Sequence, residues 1–146
     1  MHIKFLLLLI TIPLLHACSS SKKASQKTKL DEKHNAFMLT EVSTDSTYGY
    51  TETNPIKVGG VKSSSGPMNE RRFLNGLNGP DGEELSYERT GSCCPFKTKN
   101  GIMGGGLLDR YAITWEGQTE PVYIYINMYD AGDLYVPVGL TAKIAK

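Results

Sequence analysis

A chain of 146 residues has room for one domain and little else, and its 40% hydrophobic and 21% charged content is ordinary for a folded protein in water. The formal net charge is +1, which excludes the broad basic surface on which nucleic-acid binding depends. The charge is unevenly placed: residues 18–35 carry +3 and residues 36–146 carry −3.

The chain opens with Lys4, an apolar run over residues 5–15, and Ala17 just ahead of Cys18. That run is well short of the roughly 20 apolar residues needed to span a bilayer. It has the dimensions of an export signal, so residues 1–17 are expected to be removed. Leu15-His16-Ala17-Cys18 resembles the lipobox of bacterial lipoproteins, with His16 where a small residue is usual. The resemblance implies that Cys18 is diacylated and becomes the new N-terminus. Two acyl chains hold a protein stably where one is marginal. Ser19 follows, where an Asp would imply inner-membrane retention, so the expected location is the bacterial envelope, lipid-anchored at the outer membrane.

Residues 18–36 are polar, with Leu30 and Ala24 among serines and lysines and no aromatic side chain. Such a stretch cannot bury enough apolar surface to offset its ordering entropy and is expected to be a disordered tether. Its reach is on the order of 25 Å. Its lysines keep it solvated, and each contributes at most about 1 kcal/mol against anionic headgroups.

The expected globular domain spans residues 37–146. Residues 40–66 are rich in Ser, Thr and Gly and read as short strands and loops. Pro67 suits a first helical turn, Glu70 suits the positive end of the helix dipole, and Phe73, Leu74 and Leu77 share one face. This predicts one short helix over 68–77, stopped by Gly76 or Gly79. Gly79-Pro80-Asp81-Gly82 is a turn. Alternation predicts strands around Leu85-Tyr87-Arg89, Tyr111-Ile113-Trp115 and Val122-Ile124-Ile126-Met128, the last two joined as an antiparallel hairpin through residues 116–121. Residues 134–144 suit an edge strand, because Pro137 is foreign to a central one. The fold expected is α+β: a small single domain around an antiparallel sheet with one short helix.

His2, His16 and His34 all precede residue 37. A domain without imidazole excludes Ser-His-Asp and Cys-His nucleophiles and a His-ligated zinc. Gly59-Gly60-Val61-Lys62-Ser63 has the residue types of a phosphate loop in the wrong spacing, and Gly104-Gly105-Gly106 opens no helix. Asp109, Asp130 and Asp133 have the chemistry of an acid pair or of calcium ligands, but they lack the spacing of a calcium loop. No metal and no cofactor is expected.

Three groups remain as candidates. Cys93-Cys94 are the only thiols besides Cys18. In an oxidising envelope they are free or buried thiols, a vicinal disulfide shaping the Pro95 loop, or a redox or metal-binding pair. Arg71 and Arg72, with Lys57 and Lys62, have the chemistry to bind a phosphate or carboxylate, or else form a solvated face. Tyr123, Tyr125 and Tyr129 form an aromatic platform for a glycan, or simply cover the second face of the sheet.

Tyr48-Gly49-Tyr50-Thr51-Glu52, Asn54-Pro55-Ile56-Lys57-Val58-Gly59-Gly60, Gly66-Pro67-Met68-Asn69-Glu70-Arg71-Arg72-Phe73-Leu74, Gly91-Ser92-Cys93-Cys94-Pro95-Phe96 and Tyr125-Ile126-Asn127-Met128-Tyr129 together resemble a family of small uncharacterised bacterial lipoproteins. Some members carry the label 2-dehydro-3-deoxyphosphooctonate aldolase. That activity implies a barrel of around 250 residues, and no motif of the enzyme is matched here, so no catalytic residue carries over. The expectation is a non-enzymatic binding or structural module, held to the membrane through Cys18, with an envelope glycan or protein as partner. The alternative is a thiol-based envelope enzyme or redox sensor built on Cys93 and Cys94.

Overall fold

The structure, a computed structural model, describes residues 28–143. The expected export signal, Cys18 and residues 18–27 of the expected tether lie outside the described residues. The α+β architecture expected from the sequence is the one the chain adopts: short sheets and one helix around a single core.

The first element among the described residues is earlier than expected. β1 (Leu30–Asp31) and β2 (Ala36–Phe37) form a small antiparallel hairpin. Arg72 Nε donates to Asn35 Oδ1 at 3.1 Å and Asn75 Nδ2 donates to the Asn35 carbonyl at 3.1 Å. These bonds tie the hairpin to the helix, so the tether ends before Leu30 and not at residue 36. His34 therefore lies in the folded part and corrects the expectation of an imidazole-free domain. Its ring bonds to Asp31, and that bond holds the Asp31 carboxyl below its ordinary range.

β3 (Ile56–Lys57) is followed by helix α1 (Gly66–Asn75), with Pro67 in its first turn as expected. The helix buries Gly66, Glu70, Phe73 and Leu74 on one stripe. It ends at Gly76, whose φ of −82° is not the left-handed stop that glycine usually supplies. Space explains this glycine instead: a Cβ there would lie 2.5 Å from the Phe37 carbonyl oxygen. β4 (Leu77–Asn78) begins at once and pairs with β8 (Thr141–Ala142), closing the C-terminal segment onto the helix end.

The main sheet holds β5 (Ser86–Ile102), β6 (Gly105–Thr114) and β7 (Val122–Asn127), in the order β3-β7-β6-β5. β5, β6 and β7 are antiparallel neighbours, whereas β3 runs parallel to β7. One face of the sheet packs under α1: Tyr111, Ile113, Ile124 and Ile126 join Phe73, Leu74 and Leu77 in the core. No element of this chain builds an eight-stranded parallel barrel among the described residues. No helix among them is long and apolar enough to cross a membrane.

β5 extends far beyond the strand predicted around residues 85–89. Alternation is broken at three places: at two bulges Thr90 and Cys94 have no partner opposite them on β6, and residues 98–101 leave the ladder between Lys97 and Ile102. Each bulge shifts the side-chain phase by one, so the strand continues while its sequence pattern does not.

Candidate functional site

The two faces of β6 carry different chemistry, and the bulges of β5 deliver residues to both. On the outer face, Cys93 pairs with Leu108 and Phe96 with Gly106. Cys94 takes a left-handed φ of 56°, which few residues other than glycine and asparagine adopt readily. Its sulfur is bonded to that of Cys93. The two thiols are thus joined to each other, the second of the three readings offered by the sequence.

This disulfide lies at a cleft of about 510 Å³ on the outer face, lined by Lys57, Cys94, Phe96, Lys97, Leu108 and Asp130 among others. That volume is in the range of small-molecule sites. Both cysteines are half-buried, so the bridge is open to a ligand and to solvent. Asp130 is fixed rather than free. Thr98 Oγ1 donates to it at 2.7 Å, Asn100 Nδ2 at 2.8 Å and Asn127 Nδ2 at 3.0 Å. Burial acts to raise its carboxyl, and these donors outweigh burial and hold it below the ordinary range. Phe96 and Tyr129 meet edge to face at 5.8 Å over Gly106. A Cβ at Gly106 would lie 2.9 Å from the Tyr129 ring and 3.0 Å from Phe96. Gly106→Ala is therefore expected to destabilise the fold by about 1–3 kcal/mol through overpacking, read as a lower urea midpoint.

On the core face, Glu70 projects from α1 onto the sheet and is 0% exposed. Tyr111 Oη donates to Glu70 Oε2 at 2.8 Å, and Glu70 Oε1 has no donor among the described residues. Beside it stands Asp109, whose Oδ1 accepts from Arg89 Nη2 and from Ser92 Oγ, both at 2.8 Å. Burial, and then the Asp109 charge, push the Glu70 carboxyl up to about 7. Burial also acts to raise Asp109, but the bonds from Arg89 and Ser92 win and hold it low. Burial and the neighbouring Glu70 raise the Tyr111 hydroxyl as well. The result is a carboxyl–carboxylate pair in which the proton sits on Glu70, next to an oxygen that needs one. Ser92 directly precedes Cys93, so one bulged segment of β5 contributes to both faces.

The other candidates are scattered. Arg71 is exposed on α1, Arg72 is held by Asn35 and Asn69, and Lys57 is on β3 in the outer-face cleft. The three are not assembled into one anion site. Lys62 lies apart in a short turn. Tyr123 and Tyr125 do share the outer face, with the Arg110 guanidinium 5.0 Å from the Tyr123 ring. Tyr129 stands beyond the end of β7 and is turned onto Phe96, so the platform has two members and not three. Asp109 is in the acid pair, apart from Asp130. Among the described residues no group of three or more His, Cys, Asp or Glu is placed to hold a metal. A second cleft of about 550 Å³ adjoins the first through Pro55 and Lys57.

Sequence reasoning offers Asp109 for an acid pair with Asp130 or Asp133 and misses Glu70 as its partner, although a signal is present. Glu70 is in helical phase with Phe73, Leu74 and Leu77, and Asp109 is in strand phase with Tyr111 and Ile113. A carboxylate in phase with a core stripe is a buried carboxylate.

Comparison with known proteins finds no matching family model, no matching curated protein and no matching solved structure.

Proposed function

We propose that this chain is a lipid-anchored protein of the bacterial envelope whose domain is a binding module for a small polar ligand such as a glycan fragment, with a redox-sensitive wall. The anchor is inferred from the signal-like run and the Leu15-His16-Ala17-Cys18 resemblance. The observation that carries the reading of the domain is the Cys93–Cys94 bridge, whose Cys94 lines the outer-face cleft. A disulfide stabilises chiefly by closing a long loop in the unfolded chain. One between adjacent residues closes the smallest loop there is, so stability gives little reason for it. Its role is to shape a surface, and reduction would change that shape by freeing Cys94 from its bulge.

The cleft suits a polar, uncharged ligand. Lys57 and Lys97 are balanced by Glu52 and Asp130, and Phe96 offers a ring. The membrane-extracted protein should bind cell-wall glycan fragments in calorimetry, with affinity at least about tenfold different before and after reduction. A Cys93→Ser/Cys94→Ser variant should reproduce the reduced state. Binding that is the same in all three forms would refute the redox-sensitive wall.

The same bridge supports a second reading, a thiol–disulfide sensor or enzyme. An envelope dithiol would attack one cysteine sulfur and displace the other as a thiolate. The dithiol would then close its own disulfide, leaving Cys93 and Cys94 as two thiols. Alkylation of the native protein distinguishes this: the oxidised form should take no label until such a dithiol is added. Condensation of phosphoenolpyruvate with arabinose 5-phosphate is expected to be absent, since nothing in either site matches that enzyme.

A further inference from the structure

We propose that the turn joining β5 to β6 is a membrane-docking tip, which places Ile102 and Met103 in the interface of a bilayer carrying anionic headgroups. Ile102 is 87% exposed and Met103 101% exposed, the two barest large apolar side chains among the described residues. Isolated exposed apolar residues are common, but these two are adjacent and stand at the end of the longest strand pair.

Their conformation makes the choice of residue more telling. Ile102 pairs with Gly105, so Met103 and Gly104 are the two central residues of the turn. Their φ values are 54° and 79°. Turns with both central residues at positive φ favour Asn-Gly or Asp-Gly, because asparagine and aspartate tolerate that region and long side chains do not. The chain has methionine where a polar residue would fold better and dissolve better. A strained, water-exposed methionine gains nothing within the domain. It gains on contact with an apolar phase.

The charge pattern selects the phase. From Arg89 to Leu108 the sequence holds Arg89, Lys97 and Lys99 and no acidic residue, within a body of net −3. Lys97 and Lys99 are exposed beside the tip. The carboxylate at its base, Asp130, is occupied by Thr98, Asn100 and Asn127. Those bonds also brace residues 98–100, so the tip is presented from a fixed base. Exposed Leu107 adds apolar surface on the returning strand. Apolar side chains flanked by lysines match the boundary between acyl chains and anionic headgroups.

This inference borrows only its setting from the lipid-anchor reading, and it is tested without the lipid. Residues 19–146 contain every described residue and the whole core. In sedimentation with vesicles of phosphatidylethanolamine and phosphatidylglycerol, this chain should associate, and Ile102→Ser with Met103→Asn should weaken association about tenfold or more. The tether lysines are present in both chains, so the difference belongs to the tip. Met103→Asn alone should fold at least as stably as wild type, because asparagine accepts the left-handed turn, so weaker binding cannot be ascribed to unfolding. The proposal is overturned if the unlipidated chain ignores such vesicles or if the double variant binds them equally. It is also overturned if Met103→Asn abolishes a self-association of the chain while vesicles are not bound, which would assign the tip to a second copy. In each of those cases an acylated Cys18, read by intact mass, would still stand.

Discussion

Above neutral pH, Glu70→Gln is expected to be more stable than wild type by up to about 3 kcal/mol. In the unfolded chain this carboxyl titrates near 4.5, and in the folded domain at about 7. The native state therefore holds the extra proton across that window. Its contribution is complete below 4.5 and is lost as pH rises through about 7. Glutamine has the same shape and never ionises. Its carbonyl can accept from Tyr111 as Glu70 Oε2 does, and its amide can donate to Asp109 in place of the carboxyl proton. Urea unfolding at about pH 5 and about pH 8 should give similar midpoints for the two proteins in acid and a higher midpoint for the variant in base. Parallel pH profiles would mean that Glu70 is not protonated in the native domain. Asp109 acts in the opposite sense: its folded carboxyl lies below the ordinary 3.8, so its contribution is present above that value and is lost as pH falls further. The wild-type domain should accordingly be most stable between the two titrations, on the acid side of neutrality.

The parts of the fold that were legible are those in which one periodicity runs unbroken. Phe73 and Leu74 announce α1, although Leu77, in the same phase, falls in β4, and Val122, Ile124 and Ile126 announce β7. Pro67 marks the helix start because its missing amide is no loss there. Legibility failed where a local rule was suspended. At Thr90 and Cys94 the β5 ladder skips a residue, and the inward-facing set changes from Arg89 to Ser92. No fixed period of two can follow that. The parallel pairing of β3 with β7 joins residues 70 positions apart, Ile56 with Ile126, and two residues of strand carry too little pattern to announce it. The polar tether was extended too far because Asn35 and His34 are held by hydrogen bonds to Asn75 and Arg72, which hydrophobicity does not report. Of the site, the cysteines were visible as residues and their bonding was not. The acid pair is visible as phase, but Glu70 reads as helix-dipole chemistry and Asp109 as a partner of Asp130 or Asp133.

Phe73→Ala is expected to destabilise the domain by about 3–5 kcal/mol. Phe73 is 0% exposed and packs in the core stripe that continues from Glu70. Removing its ring deletes buried apolar surface and leaves a cavity that a two-layer domain can only partly close. The loss should be nearly independent of pH, since no charge changes. That separates it from Glu70→Gln, whose effect exists only where the carboxyl would ionise. The two residues share a helix face, so the double variant is informative. If α1 stays seated after Phe73→Ala, the pH slope between 4.5 and 7 should survive, and Glu70→Gln should still remove it. If the slope vanishes in Phe73→Ala alone, the helix has lifted and water has reached Glu70, which would make Phe73 the residue that keeps the carboxyl pair dry. Alkylation adds an independent reading. The cleft is on the opposite face of β6 from Phe73, so Cys93 and Cys94 in the folded variant should be reduced as slowly as in wild type. Faster reduction would show that the two faces are coupled, and the paired segments Ser92-Cys93 and Leu108-Asp109, which contribute to both sites, are the direct route between them.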